Sequence, residues 1–356
     1  MRASVTVEEY PVWRLRYGFQ VDREPEDLVT EQRIRYAPGV LGELRNQNLF
    51  GRALTGGVAG LVERDYRRVN TFLQTPDFFG LPVRSGLFVY GSRENLRLDG
   101  EVFAVTDVRG VSYEQRWRRR RGFEITYGYR FETNHTYDPD PFPSDPFPLD
   151  ATAKLGRLTS AFLLDRRDDP VSATRGTFTS VSLQQATRLL GSDARYGRLL
   201  AQQHGFFTVG PVVLASRAIA GAGYGRDELL PVDRFFAGGA TTVRGYGENA
   251  LGPRDLLFGA PLGGSTLFIL NQEVRLPLYR WARMVGFVDA GNAFDDTYPF
   301  AWKEMKVGYG AGLRISSPIG LLRLDFGLPA SSLSGSIFEP APSRRGRWYF
   351  GLGNVF

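Results

Sequence analysis

The chain has 356 residues and a formal net charge of +6, with 42 glycines, 21 prolines, 26 phenylalanines, 16 tyrosines and no cysteine. The lack of cysteine excludes a disulfide framework and a thiolate metal site, and two histidines are too few for a histidine-rich metal centre. The abundance of turn-forming and aromatic residues favours many short strands, and no uninterrupted apolar run reaches the roughly 18 residues that a spanning helix requires.

The chain begins with MRASVTVEEYP, which carries charges where a signal peptide has its apolar stretch. Residues 1–11 are therefore interpreted as the tail of a preceding segment or linker. Side chains then alternate between apolar and polar with a period of two, which predicts a strand. The apolar set near the N-terminus is Trp13, Leu15, Tyr17, Phe19 and Val21.

The same alternation continues along the chain and predicts about sixteen strands, an even number as bacterial membrane barrels require. The predicted spans are 12–21, 39–48, 52–63, 66–75, 83–92, 108–118, 122–133, 153–165, 176–187, 194–207, 211–222, 266–277, 284–291, 306–316, 320–327 and 347–356. The polar faces mix small and charged residues, as a wet lumen needs, and aromatic residues lie toward strand ends. This pattern favours an all-β, membrane-spanning antiparallel barrel over the alternative, a soluble sandwich with aromatic faces packed inward.

The predicted connections differ in length between the two ends of the barrel. If the N-terminus is periplasmic, most periplasmic links are tight, and the long connections 134–152, 223–265 and 328–346 all lie on the outer side. The arginines are mostly dispersed, and no nucleic-acid motif or basic arm appears, so a nucleic-acid partner is not expected.

Several stretches carry a family resemblance. The run RFFAGGATTVRGYGENALGP occupies residues 234–253, and the others are NQNLFGR from Asn46, LDRRDDPVSATRG from Leu164, FILNQEVRLPL from Phe268, GFVDAGNAF from Gly286 and YGAGLRISSPIGLLRLDFG from Tyr309. In this order they resemble the outer-membrane assembly-factor (bacterial surface antigen) superfamily of the BamA/TamA type, over nearly all of the barrel. The resemblance implies that residues 12–356 form the barrel, with an in-folded extracellular loop, and that residues 1–11 are the tail of a periplasmic, POTRA-like domain.

The resemblance also implies a latch inside the lumen. Its loop residues are Gly238, Gly239, Arg244, Gly245 and Tyr246. Arg244 would pair with Asp289 and Glu273, which alternation places on the lumen face, while the glycines permit tight turns and Tyr246 packs alongside. The alternative is an arginine in a solvated loop, the commoner position of loop arginines.

The last strand, RWYFGLGNVF, carries the second implied site. In the family, a glycine near the chain end lets this strand kink and leaves a weakly paired seam with the first strand; the residues assigned to it are Leu15, Tyr17, Gly351, Gly353 and Phe356. Gly353 is the position expected to kink, and Gly351 shares the role. The alternative is a plain strand with an aromatic terminus, a general assembly signal of outer-membrane barrels, although Asn354 stands where that signal usually has an apolar residue.

These inferences predict an integral protein of the outer membrane of a Gram-negative-type bacterium, which helps β-barrel proteins to fold and insert through the seam. The expected partners are unfolded outer-membrane β-barrel substrates, the lipid bilayer and periplasmic or lipoprotein assembly subunits. A polypeptide secretion pore of the two-partner type and a passive porin-like barrel stay open as alternatives. Neither His135 nor His204 lies beside a nucleophile in the sequence, so no enzyme and no cofactor are predicted.

Overall fold

A computed structural model describes residues 11–25, 34–78, 80–98, 101–119, 122–141, 149–255, 261–295, 300–317, 320–330 and 346–352. The described strands form one antiparallel sheet in which each strand pairs with its neighbours in the sequence. Their bounds are β1 Trp13–Pro25, β2 Ile34–Leu49, β3 Leu54–Val62, β4 Tyr66–Thr75, β5 Val83–Leu98, β6 Glu101–Arg119, β7 Phe123–Tyr137, β8 Asp150–Asp165, β9 Gly176–Ala186, β10 Tyr196–Val209, β11 Val212–Gly225, β12 Thr266–Tyr279, β13 Ala282–Phe294, β14 Lys306–Ser317, β15 Gly320–Pro329 and β16 Arg347–Leu352. Within these residues no helix is both long and apolar enough to cross a membrane.

Each of the sixteen predicted strands coincides with an observed strand, but one predicted connection is wrong. Residues 93–107, predicted to link two strands, are mostly strand themselves, because β5 runs to Leu98 and β6 begins at Glu101. Arg93 lies opposite Asp107 in this ladder and donates to both of its carboxylate oxygens, at 2.7 and 2.8 Å. Charged residues of this stretch thus pair across a hairpin. In the same way β7 and β8 continue to Tyr137 and Asp150, which shortens the predicted connection 134–152.

The two faces of the sheet have opposite polarity. Apolar side chains such as Val58, Val69, Val89, Leu158 and Val288 are 48–55% exposed on the outward face. The inward face instead buries charged residues: Glu132, Arg157, Glu273, Arg275, Asp289, Arg314, Arg323 and Asp325. A soluble sandwich would have the reverse arrangement, so the alternation identifies a sheet with a lipid-type exterior and a polar interior.

The connection between β11 and β12 folds into the interior of the curled sheet. Phe235, Ala237 and Val243 of this connection are at most 3% exposed, and they belong to one apolar cluster with inward residues such as Ile219 and Ile269 of the wall. We call the described residues of this connection, 226–255 and 261–265, the inner loop. The end of the sheet from which it departs is the long-loop end, and the opposite end, with turns such as 210–211 and 280–281, is the short-turn end.

Candidate functional site

The inner loop approaches the wall closely at Gly245. Its φ of 100° lies in the region that favours glycine, and a Cβ there would be 2.7 Å from the carbonyl carbon and oxygen of Leu328 in β15. Gly308 of β14 leaves space for the carbonyl oxygen of Arg244, because a Cβ at that position would overlap it. Gly238 and Gly239 also have positive φ, of 102° and 99°. Glycines on both the loop and the wall therefore allow the backbones to touch.

Arg244 is 1% exposed and is held by three carboxylates. Its Nε and Nη2 donate to the two oxygens of Asp289 at 2.7 and 2.8 Å, and its backbone N–H donates to Asp289 at 3.1 Å. Its Nη1 donates to Glu273 at 2.7 Å and to Asp325 at 3.1 Å. The guanidinium carbon lies 3.6 Å from the centre of the Phe287 ring. A buried arginine is costly unless it is paired and hydrogen-bonded, and here both conditions are met.

Three wall arginines extend these contacts into a network. Arg314 Nη2 donates to Glu273 at 2.9 Å, Arg275 Nε donates to the other oxygen of Glu273 at 2.9 Å, and Arg323 Nε lies 3.7 Å from Asp325. With Arg244 this makes four guanidinium groups and three carboxylates, a formal excess of one positive charge. The network joins β12, β13, β14 and β15, so the loop is fixed to a whole section of the wall. We call it the arginine latch.

A second anchor holds the start of the inner loop to the opposite section of the wall. Arg157 of β8 donates through Nη1 to Asp233 at 3.0 Å, and the Tyr196 hydroxyl of β10 also donates to Asp233. Arg157 pairs in turn with Glu132 of β7, which accepts from the Tyr90 hydroxyl of β5 at 2.6 Å. We call this group the Asp233 anchor. The loop therefore crosses the interior and is bound at both sides.

The inner loop also binds the last strand. The hydroxyl of Tyr349 in β16 accepts from the N–H of Gly245 at 2.8 Å and donates to the carbonyl of Tyr246 at 2.6 Å. Tyr246 itself is 8% exposed, and its hydroxyl donates to the carbonyl of Val307 at 3.1 Å. One tyrosine thus connects the backbone next to Arg244 to the strand on which the seam was predicted.

The sheet has two edges in the described part of the chain. β1 pairs with β2 and β16 pairs with β15, but no ladder joins β1 to β16 between residues 13–25 and 347–352. Leu15 and Tyr17 are accordingly 68% and 82% exposed, more than the outward residues of flanked strands. Gly351 lies in β16 against the guanidinium of Arg323, whose Nη2 would be 3.2 Å from a Cβ. Gly353 and Phe356 lie outside the described residues.

Sequence reasoning named Arg244, Asp289 and Glu273 but missed other members of the site. Asp325 was inside a quoted stretch, LDFG, and alternation from Arg323 would have placed it inward. Tyr349 was inside the quoted stretch RWYFGLGNVF, and alternation with Trp348 and Phe350 would have placed it inward as well. Asp233 had no signal of this kind, because a loop has no period that shows which way a side chain points.

A family model described as the Omp85 superfamily domain matches residues 48–356. The outer membrane protein assembly factor BamA of Nitratidesulfovibrio vulgaris is 25% identical over 338 residues, which cover 90% of this chain and 40% of that protein. The chain therefore spans less than half the length of this relative.

Two solved structures share the fold. The crystal structure of BamA from Haemophilus ducreyi lacking POTRA domains 1–3 superposes with a TM-score of 0.74 at 16% identity, covering 91% of this chain and 68% of that one. CdiB from Escherichia coli superposes with a TM-score of 0.55 at 14% identity, covering 98% of this chain and 64% of that one. The predicted sixteen-stranded transmembrane barrel is thereby confirmed as the fold.

Proposed function

Because the chain belongs to the Omp85 superfamily, we propose that it is an integral outer-membrane protein that helps β-barrel proteins to fold and insert into the bilayer. The similarity to a protein named as an outer membrane protein assembly factor supports this proposal. In the proposed arrangement, the N-terminus is periplasmic, the long-loop end faces the cell exterior, and unfolded β-barrel proteins are the substrates. Periplasmic or lipoprotein subunits would deliver them.

The observation that carries the proposal is the pair of strand edges that the described residues of β1 and β16, 13–25 and 347–352, leave without a ladder between them. An unpaired edge presents a row of N–H and C=O groups to which an incoming strand can pair. In a bilayer such pairing has a large effect, because the hydrocarbon core offers no water to satisfy the backbone. A substrate strand that pairs at this seam enters lipid with its hydrogen bonds made. The mechanism needs no covalent chemistry, and we propose none.

The inner loop holds one of the two strands at the seam, β16. The Tyr349 hydroxyl joins β16 to Gly245 and Tyr246, and Arg244 joins the same segment to β12–β15. β16 is therefore held from inside the barrel, whereas β1 has no described hydrogen bond to the loop. We propose that β1 is the edge that separates, while the latch keeps β16 in place.

The test uses the absence of cysteine in the chain. Cysteine pairs are introduced near Leu15 and Leu352, with a scan of neighbouring positions to find the register. The barrel is reconstituted in vesicles, and the folding rate of an unrelated outer-membrane barrel is measured with the bond oxidised and reduced. Insertion through the seam predicts acceleration that is lost on oxidation and restored on reduction.

A matched control separates the seam from the disulfide itself. Leu44 and Val58 lie directly opposite each other on β2 and β3, which are already paired, so a bond there closes no opening. This control should accelerate folding equally in both redox states. If folding is accelerated equally with the Leu15–Leu352 bond oxidised and reduced, the seam mechanism is contradicted. Conductance without accelerated folding would favour the porin alternative, and polypeptide passage without accelerated folding would favour the secretion-pore alternative.

A further inference from the structure

The outward face of β3–β6 carries an uncompensated cluster of arginines near the long-loop end. Arg67 and Arg93 lie directly opposite each other on β4 and β5, and Arg109 is opposite Gly91 on the next pair. Like charges at directly opposed positions destabilise a sheet. Asp107 uses both oxygens on Arg93. Among the described residues, neither Arg67 nor Arg109 lies within ion-pair distance of a carboxylate.

These arginines line a groove of about 450 Å³ together with Val62 and Val69. Gly60 and Gly91 also line it. A Cβ at either glycine would have its nearest neighbour at 3.7 Å, and neither glycine has a positive φ, so neither packing nor backbone conformation requires glycine there. The missing side chains leave the groove open. Arg68 also lines the groove, but its guanidinium lies over the inward Tyr90 ring, 5.7 Å from the ring centre. The remaining three guanidinium groups and one carboxylate give the groove a formal charge of +2, which suits an anion.

A second, apolar groove of about 460 Å³ continues from the first along the same strands. Its lining includes Trp13, Val58, Leu73, Leu87 and Val89. Along β4, toward the long-loop end, the outward residues are Leu73, Thr71, Val69 and Arg67. The surface therefore has guanidinium groups near the long-loop end and an apolar trough next to them toward the membrane centre. This arrangement matches the charged headgroup and the apolar chain of a lipid.

We propose that this pair of grooves binds one phosphorylated lipid of the outer leaflet, with its phosphate groups at Arg67, Arg93 and Arg109 and an acyl chain in the apolar trough. A phosphomonoester carries a charge of about −1.5 to −2 and three acceptor oxygens, and guanidinium groups bind it in fixed, often bidentate geometry. A phosphorylated glycolipid headgroup fits a +2 groove better than a single phosphodiester. The assignment rests on the proposed outer-membrane location, but not on assembly activity.

The test is native mass spectrometry of the full chain in detergent with added lipids. The probes are bisphosphorylated lipid A, its dephosphorylated form and phosphatidylglycerol. We expect the chain to retain lipid A more strongly than the other two lipids. In the Arg67→Gln/Arg109→Gln variant we expect the affinity for lipid A to fall about tenfold for each arginine removed, since each charge-assisted contact contributes about a factor of ten. The Arg52→Gln/Arg280→Gln variant removes the same charge from exposed turns at the short-turn end and should retain lipid A.

A second variant tests the groove without changing charge. Gly91→Val fills it, and we expect retention to fall at least fivefold. Gly286→Val, on the outward face of β13 with nothing within 4 Å of the added Cβ, should not matter. Heat-modifiable migration on gels verifies that each variant is folded.

Three outcomes would overturn the proposal. They are equal retention of dephosphorylated lipid A, retention that is unchanged by both Arg67→Gln/Arg109→Gln and Gly91→Val, and full displacement of lipid A by millimolar inorganic phosphate, which would assign the site to free phosphate. Loss of assembly activity with intact lipid retention would affect only the proposed function.

Discussion

Asp289 is the residue on which the arginine latch most depends, because it accepts from the backbone and from two side-chain nitrogens of Arg244. Asp289→Asn removes its charge and part of its accepting capacity while the arginine stays buried. Breaking a buried ion pair typically costs about 3–5 kcal/mol. We expect a loss of this size in the free energy of unfolding, measured by urea titration in lipid vesicles.

Two further variants calibrate this measurement. Arg244→Lys keeps the charge but cannot bridge the two oxygens of Asp289, so its loss should be intermediate. Asp150→Asn changes a carboxylate whose side chain is 70% exposed, where an ion pair contributes about 0–1 kcal/mol. If Asp289→Asn is no more costly than Asp150→Asn, the latch does not stabilise the barrel.

Asp168, in the turn between β8 and β9, supports a prediction about pH. Burial acts to raise the pKa of its carboxyl, but the Thr174 hydroxyl and the N–H groups of Arg175, Thr174 and Asp169 outweigh it and lower the pKa to about 2. The folded pKa is below the unfolded value of about 3.9, so the stabilisation is present above pH 3.9 and is lost as pH falls through about 2.

We therefore expect the N–H groups of Thr174 and Arg175 to keep their protection from hydrogen exchange at pH 3, and to lose it near pH 2. Asp168→Asn should lower this protection at every pH above about 2 and remove its pH dependence. Protection in the unchanged chain that disappears between pH 5 and pH 4 would show that Asp168 titrates as an ordinary carboxylate.

At the scale of the element, β16 pairs with β15 and is joined to the inner loop by the hydroxyl of Tyr349. Tyr349→Phe removes it and leaves the N–H of Gly245 and the carbonyl of Tyr246 unpaired, which costs about 1–3 kcal/mol for each buried group. We expect β16 to become more mobile. Spin labels at Val58 and Phe350 in the cysteine-free chain would report this as a broader distance distribution.

The control for this prediction is Tyr309→Phe, which removes a hydroxyl from an outward tyrosine of β14 that is 46% exposed. It should leave the distance distribution unchanged. An unchanged distribution in Tyr349→Phe as well would mean that β16 is held by its ladder with β15 alone, and the inner loop would then have no role in fixing the seam.

The strands show how far sequence could predict this molecule. A period of two assigns each side chain to a face, so Glu273 and Asp289 were placed inward before any contact was known. Strand ends were harder, because Arg93 and Asp107 look like loop residues until their register brings them together. The Asp233 anchor could not be predicted, since its position depends on how a loop without a period crosses the interior.

At the scale of the whole molecule, the inner loop crosses the interior and is bound on both sides, by the Asp233 anchor and by the arginine latch. Both ends of the loop are fixed, because the loop continues directly into β11 and β12. One further attachment is therefore enough to keep the loop within the barrel. We therefore predict a small, steady conductance for the unchanged chain in planar bilayers. Asp233→Asn or Asp289→Asn alone should change it little.

Weakening both charged attachments at once gives the decisive case. In the Asp233→Asn/Asp289→Asn variant we expect conductance to rise severalfold and to fluctuate, because the loop can leave the interior and return. The Asp140→Asn/Asp150→Asn variant, altered at exposed positions, should behave as the unchanged chain does. A large, stable conductance before any substitution would instead indicate an open pore, and the loop would then line a channel without closing it.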